Sequence, residues 1–215
     1  WILRFCPAPI FGEIEDGAYI IESEYGTVLD VAAAGSADGS NVQGWEDNQT
    51  IAQRFYVEKK GIDEAGNPLY CIASVLSGKA LDVEAANNHD GTNVQIYQQN
   101  GTPAQLWRLV PSFTANGTPC FVIMSGVGSK ALDVASSGLG ANVRIWNMNG
   151  SVSQNWIFRL CSAVVADGSY VIAAGDNNDY VIDIDGQSPD NGANAQVWES
   201  NGTNAQAFAV NYDSY

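Results

Sequence analysis

The sequence has a single histidine, His89, and only nine Lys and Arg against 24 Asp and Glu, a formal net charge of −15 with a pI near 4.1. A chain this acidic repels phosphate backbones and anionic lipid, which argues against nucleic acid as a partner. One histidine, set in the polar stretch Asn87-Asn-His-Asp90, cannot anchor a Ser/His/Asp arrangement, and it reads as a solvated loop residue. No His and Cys cluster has metal-ligand spacing, and no phosphate-cradling glycine loop leads from a strand into a helix. The expectation is therefore a protein that is not an enzyme and uses no cofactor or metal. No apolar run approaches the roughly 18 residues of a membrane-spanning helix, so no membrane insertion is expected. Helical periodicity of useful length is missing as well.

What the sequence does have is apolar area and repetition. Hydrophobic residues make up 46% and aromatics 10%, with 6 Trp and 9 Tyr, enough to build a core. An aliphatic-Asp-aliphatic triplet recurs at Leu29-Asp30-Val31, Leu81-Asp82-Val83, Leu132-Asp133-Val134 and Ile182-Asp183-Ile184, in steps of 52, 51 and 50 residues. A second register follows it at Val42-Gln43-Gly44-Trp45, Val94-Gln95-Ile96-Tyr97, Val143-Arg144-Ile145-Trp146 and Ala195-Gln196-Val197-Trp198. A third, Gln-x-aromatic, is centred on Gln53, Gln105, Gln154 and Gln206, each eight residues past the aromatic of the second. A fourth is an aromatic-led strand beginning at Tyr19, Tyr70, Phe121 and Tyr170. Short β-branched and aromatic runs separated by Gly, Asn, Asp and Ser predict four strands per unit of about fifty residues, an all-β protein. One such unit cannot bury its own apolar face, so the units must close on a shared core.

These residues resemble the ricin B-type lectin family, whose repeats carry a Leu-Asp-Val strand, a Val-Gln-x-Trp strand and a terminal Gln-x-Trp. The resemblance spans essentially the whole chain and implies a β-trefoil: three units about a pseudo-threefold axis. Four units leave one over. The preferred division makes residues 7–160 one trefoil, residues 1–6 the tail strand of a preceding repeat, and residues 161–215 a fourth repeat that packs on the trefoil or completes a neighbouring copy. The other division groups the last three units and orphans the first. The opening Trp1-Ile-Leu-Arg-Phe-Cys6 repeats at Trp156-Ile-Phe-Arg-Leu-Cys161, so the sequence reads as a segment of a longer protein. Cys6 and Cys161 lie three units apart, and threefold closure would bring them together as a disulfide, which suits an extracellular or periplasmic setting; the expected location is extracellular or at a cell surface. Four free thiols in a reducing compartment is the alternative. Cys71 and Cys120 fall on offset positions and are left unpaired.

Sugar recognition needs an aromatic face for the C–H side of a pyranose and carboxylate or amide groups for its hydroxyls. The candidate carbohydrate-binding sets are Asp30, Gln43 and Trp45; Asp82, Gln95 and Tyr97; and Asp183, Gln196 and Trp198. In each the Asp precedes the Gln by 13 residues, and Gln and aromatic share a strand face. The resemblance implies that the Asp accepts hydroxyls and the ring stacks. The family's Asn before the terminal Gln is absent, replaced by Ala52, Ala104, Ser153 and Ala205, which weakens a galactose assignment. Asp133 and Trp146 form a weaker candidate, since Arg144 replaces the Gln and the spacing shrinks to 11. Asn48, Asn100 and Asn201, with Asn149, sit three residues after each aromatic; they suit a turn, with a sugar contact as the second reading. The terminal Gln reads as a core and turn anchor, and the triplet Asp could itself serve a turn. The functional expectation is a lectin module with shallow repeated sites whose partners are glycans, with self-association through the fourth repeat. A structural spacer that keeps the fold is the alternative.

Overall fold

The computed structural model describes residues 14–161, 168–174 and 177–210. The chain divides into two compact units, residues 1–163 and 164–215. The tail strand expected at residues 1–6 lies outside the described residues.

In the first unit twelve antiparallel strands form one continuous sheet. They fall into three groups of four: β1 (Gly17–Ser23), β2 (Val28–Val31), β3 (Ser40–Trp45) and β4 (Phe55–Ile62); β5 (Pro68–Ser74), β6 (Ala80–Val83), β7 (Val94–Tyr97) and β8 (Trp107–Phe113); β9 (Pro119–Ser125), β10 (Lys130–Val134), β11 (Ala141–Asn147) and β12 (Asn155–Leu160). The last strand of each group pairs with the first of the next: β4 with β5, β8 with β9, and β12 with β1 in the register Tyr19↔Leu160 to Ser23↔Trp156. That last pairing closes the ring, because no edge is then left between the third group and the first.

The second and third strands of each group form hairpins that gather over one end, through Asn41↔Gln95, Asn142↔Gln43 and an Asn93↔Arg144 bridge. At their meeting point the Asn41 amide donates to Asn142 Oδ1 at 3.0 Å and the Asn142 amide to Asn93 Oδ1 at 2.9 Å. This asparagine trio marks the pseudo-threefold axis. The period-2 pattern of β1 sends Tyr19 and Ile21 inward, and the same places are taken by Tyr70 and Ile72 and by Phe121 and Ile123. Leu29, Leu81 and Leu132 fill the core from three sides, each fully buried and each worth about 1.5–3 kcal/mol. The aromatic of each Gln-x-aromatic motif is core: Phe55, Trp107 and Trp156 are fully buried, and the two indoles donate to the Leu81 and Leu132 carbonyls at 3.1 and 3.0 Å. The first unit is an all-β, β-trefoil-like lectin fold.

The second unit contains β13 (Gly168–Tyr170), β14 (Ala173–Ala174), β15 (Asn177–Ile184), β16 (Ala195–Glu199) and β17 (Phe208–Val210). β13 pairs with β17 and β15 with β16, repeating the registers of β1 with β4 and β2 with β3: Tyr170↔Phe208 answers Tyr19↔Phe55, and Asp183↔Gln196 answers Asp30↔Gln43. Cys71, Cys120 and Cys161 are free thiols, and the Cys6 expected to bridge Cys161 lies outside the described residues.

Candidate functional site

Three of the four triplet aspartates stand directly across their hairpins from the Gln of the second register: Asp30↔Gln43, Asp82↔Gln95 and Asp183↔Gln196. The amide therefore reaches the carboxylate. Gln43 Nε2 donates to Asp30 Oδ1 at 2.8 Å, Gln95 to Asp82 at 3.1 Å, and Gln196 to Asp183 at 3.4 Å.

The other carboxylate oxygen is held from below by the terminal Gln. Gln53, Gln105 and Gln206 donate to Oδ2 of Asp30, Asp82 and Asp183 at 3.2, 3.1 and 3.1 Å. The same Nε2 reaches the Glu46, Gln98 or Glu199 carbonyl at 2.7–2.9 Å, and Oε1 accepts the Asn48, Asn100 or Asn201 N–H at 2.8–3.0 Å. These glutamines are fully buried, and the aspartates above them are 5–6% exposed. Two amides thus fix a nearly buried carboxylate while each oxygen keeps a lone pair for a ligand hydroxyl. Sequence reasoning gave the terminal Gln a core and turn role but missed its bond to the Asp; the constant 23-residue separation was the available signal.

The ring of the second register lies two residues past the amide on the same face. Tyr97 is 40% and Trp198 54% exposed, while Trp45 is half-buried. Around Asp82, Gln95 and Tyr97 opens a cleft of about 290 Å³, walled by Ala85 and Ala86 on one side and Asn100 and Thr102 on another. The alanine wall is strained: Ala33, Ala34, Ala85 and Ala86 all take left-handed φ of 49–54°, a conformation L-residues avoid. Asn48, Asn100 and Asn201 have a structural task, since each Oδ1 accepts the N–H two residues on, from Thr50, Thr102 or Thr203. Asn100 still lines the cleft.

The third set is different. Arg144 Nε donates to Asp133 Oδ1 at 2.9 Å, Ser153 and Gln154 take Oδ2, and the guanidinium lies 4.2 Å from the centre of the Trp146 ring. The chain's own arginine thus covers both the carboxylate and the ring that a ligand would use. The two residues lost between Asp133 and Arg144 remove the left-handed turn that walls the Asp82 cleft, and no 3-10 turn follows β10.

Sites in the first unit are also composite. The loop before β3, β7 or β11 reaches the hairpin of the next group, where Gly39 N donates to the Ile96 carbonyl and Gly140 N to that of Gly44, both at 2.9 Å. Both glycines have φ near +80°, and a Cβ at Gly140 would lie 3.4 Å from the Trp45 ring and 3.8 Å from Gln43 Oε1. Asp38 beside Gly39 accepts Lys79 Nζ at 2.6 Å and Gln98 N at 2.8 Å; Asp90 repeats this with Lys130 and Asn147. Burial raises the Asp82 carboxyl above the ordinary carboxylate value, against the pull of its two glutamine bonds and with help from the Asp38 charge.

A trefoil carrying repeated carboxylate, amide and ring clefts defines a lectin-like class of protein. The chain belongs to the ricin-type beta-trefoil lectin domain-like family, which matches residues 51–146 and 152–215. Among solved structures it is similar to the designed three-fold symmetric protein ThreeFoil, at 32% identity and a TM-score of 0.59, over 68% of this chain and 100% of that one. An exo-beta-1,3-galactanase from Clostridium thermocellum is 28% identical, with a TM-score of 0.58, over 67% of this chain and 30% of that one. The Rhizoctonia solani agglutinin, 22% identical over 72% of this chain and 100% of its own, with a TM-score of 0.56, shares the fold. No curated protein matches the chain.

Proposed function

We propose that this chain is a non-enzymatic, multivalent carbohydrate-binding module whose ligands are terminal sugars of glycans at an extracellular or cell surface. Family membership makes carbohydrate the general ligand class. The finer reading places binding at three shallow sites, on Asp30, Gln43 and Trp45, on Asp82, Gln95 and Tyr97, and on Asp183, Gln196 and Trp198. Residues 164–215 count as a fourth trefoil repeat in this reading, and Asp133 with Trp146 does not bind. One observation carries it: an Asp held by two amides beside a ring recurs three times, and only in the third set does a cation replace the cross-strand amide and lie over the ring. Individually weak sites gain strength through avidity.

A glycan array tests this, read with wild type and with Trp45→Ala, Tyr97→Ala and Trp198→Ala combined, which leaves the carboxylate networks intact. Binding by wild type and its loss in the triple variant is the expected pair of results. Silence of the wild type across the array would instead favour the spacer reading.

A further inference from the structure

In the trefoil every barrel strand has two barrel neighbours: β1 pairs with β4 and β12, and β4 with β1 and β5. Their counterparts in the second unit, β13 and β17, pair with each other alone among the described residues. Among the described residues each therefore has one edge without a strand partner, and the two edges are of opposite kind, since one corresponds to the strand that receives a preceding repeat and the other to the strand that meets a following one. Exposed side chains tell the same story. Ile172 is 44% exposed where Ile21, Ile72 and Ile123 are fully buried, and Val197 is 57% exposed where Ile96 and Ile145 are fully buried. Asn194, the counterpart of the axial trio Asn41, Asn93 and Asn142, is exposed.

We infer that the second units of three copies of this chain close into one intermolecular β-trefoil with true threefold symmetry, β17 of each pairing with β13 of the next. This rests on reading residues 164–215 as a trefoil repeat. A head-to-tail contact whose rotation is 120° closes at three and leaves no free edge. The seam chemistry selects a second copy as the occupant. Inside the first unit, Asp38 meets Lys79 and the Gln98 N–H, and Asp90 meets Lys130 and the Asn147 N–H. At the third seam the Asp position holds Leu139, and it faces the places of Thr27 and Glu46 rather than a lysine. At this one seam, where the facing residue is Glu46, the partner carries no charge. The second unit matches that seam with itself: its Glu199 and Tyr180 stand at the receiving positions and the uncharged Asn191 at the donating one. An Asn191 from a neighbouring copy can accept the Glu199 N–H and donate to the Glu199 carboxylate, where an Asp would be repelled. The neighbour's Asn191–Gly192 loop would also wall the site of Asp183, Gln196 and Trp198, as Gly140 walls that of Trp45, so this site is complete only in the assembly.

Sedimentation equilibrium of the full chain in 0.15 M salt, where the −15 charge per chain is screened, tests the inference. The expected mass is three times 22.9 kDa; a monomer or a dimer at micromolar concentration overturns it. Asn191→Asp should weaken the trimer about tenfold or more by placing two carboxylates at each seam, and adding Tyr180→Lys should restore it by rebuilding the Asp38–Lys79 arrangement. Equal affinity of Asn191→Asp and wild type also overturns it. Protection of the Asn201 amide, which depends only on its bond to Gln206, reports separately on whether residues 164–215 fold as a repeat.

Discussion

Replacing Gln105 by alanine tests the idea that the terminal amide, rather than the cross-strand one, carries the structural load beneath each carboxylate. Three hydrogen bonds vanish: to Asp82 Oδ2 at 3.1 Å, to the Gln98 carbonyl at 2.9 Å, and from the Asn100 N–H at 2.8 Å. A neutral bond contributes about 1 kcal/mol net, one to a charged group about 1.5–3, and a buried group left without a partner costs about 1–3. Asn100 is exposed, so water can reach that N–H, and a net loss of about 3 kcal/mol follows. In a domain of this size that lowers Tm by roughly 6–12 °C, at about 2–4 °C per kcal/mol. Urea unfolding followed by the fluorescence of buried Trp107 and Trp156 should show a lower midpoint with an unchanged slope. The control is Gln95→Ala, which removes one half-buried bond to the same carboxylate and should cost about 1.5 kcal/mol, roughly half as much, while abolishing sugar binding there. A Gln105→Ala loss below about 1 kcal/mol, or an equal loss in the control, would refute the reasoning.

Arg144→Ala should destabilise the first unit by about 1–2 kcal/mol, because Asp133 is 3% exposed and loses its cation, although the arginine side chain itself is 29% exposed and solvent screens the pair; thermal unfolding with no change in midpoint would remove this account. Ala85→Gly, which relaxes a left-handed alanine, should be neutral or stabilising by up to about 1 kcal/mol, the reverse of the usual sign, and chemical denaturation decides it. The raised Asp82 carboxyl has two consequences. Binding at its site should fail as pH falls through that raised value, and the folded state should gain stability over the same fall, since the penalty on the buried charge is fully present only above it. An NMR titration placing the Asp82 midpoint at or below the ordinary carboxylate value would contradict both.

The repeat made the fold readable from sequence because its spacing is set by strand length and turn chemistry, both local. The positions of Leu29, Leu81 and Leu132 in successive triplets are enough to predict a shared core, since no single repeat could bury them. The candidate sets were legible for the same reason: Asp30 and Gln43 lie on adjoining strands of one hairpin, so their separation in sequence fixes their meeting in space. The turn role of Asn48 followed from residue type alone.

The sequence by itself determined what each repeat is, an all-β unit with one carboxylate and one ring, joined by a cross-strand amide in all but the third, where Arg144 stands. Only the tertiary structure decided how these groups meet, within a repeat and between repeats. Gln53 reaches Asp30 from 23 residues away, Gly140 packs on Trp45 from another repeat, and Arg144 turns back over Asp133 and Trp146 to fill its own site. The physical reason is that these contacts depend on side-chain direction and, for Gly140 on Trp45, on ring closure across the axis, neither of which residue type and strand spacing specify.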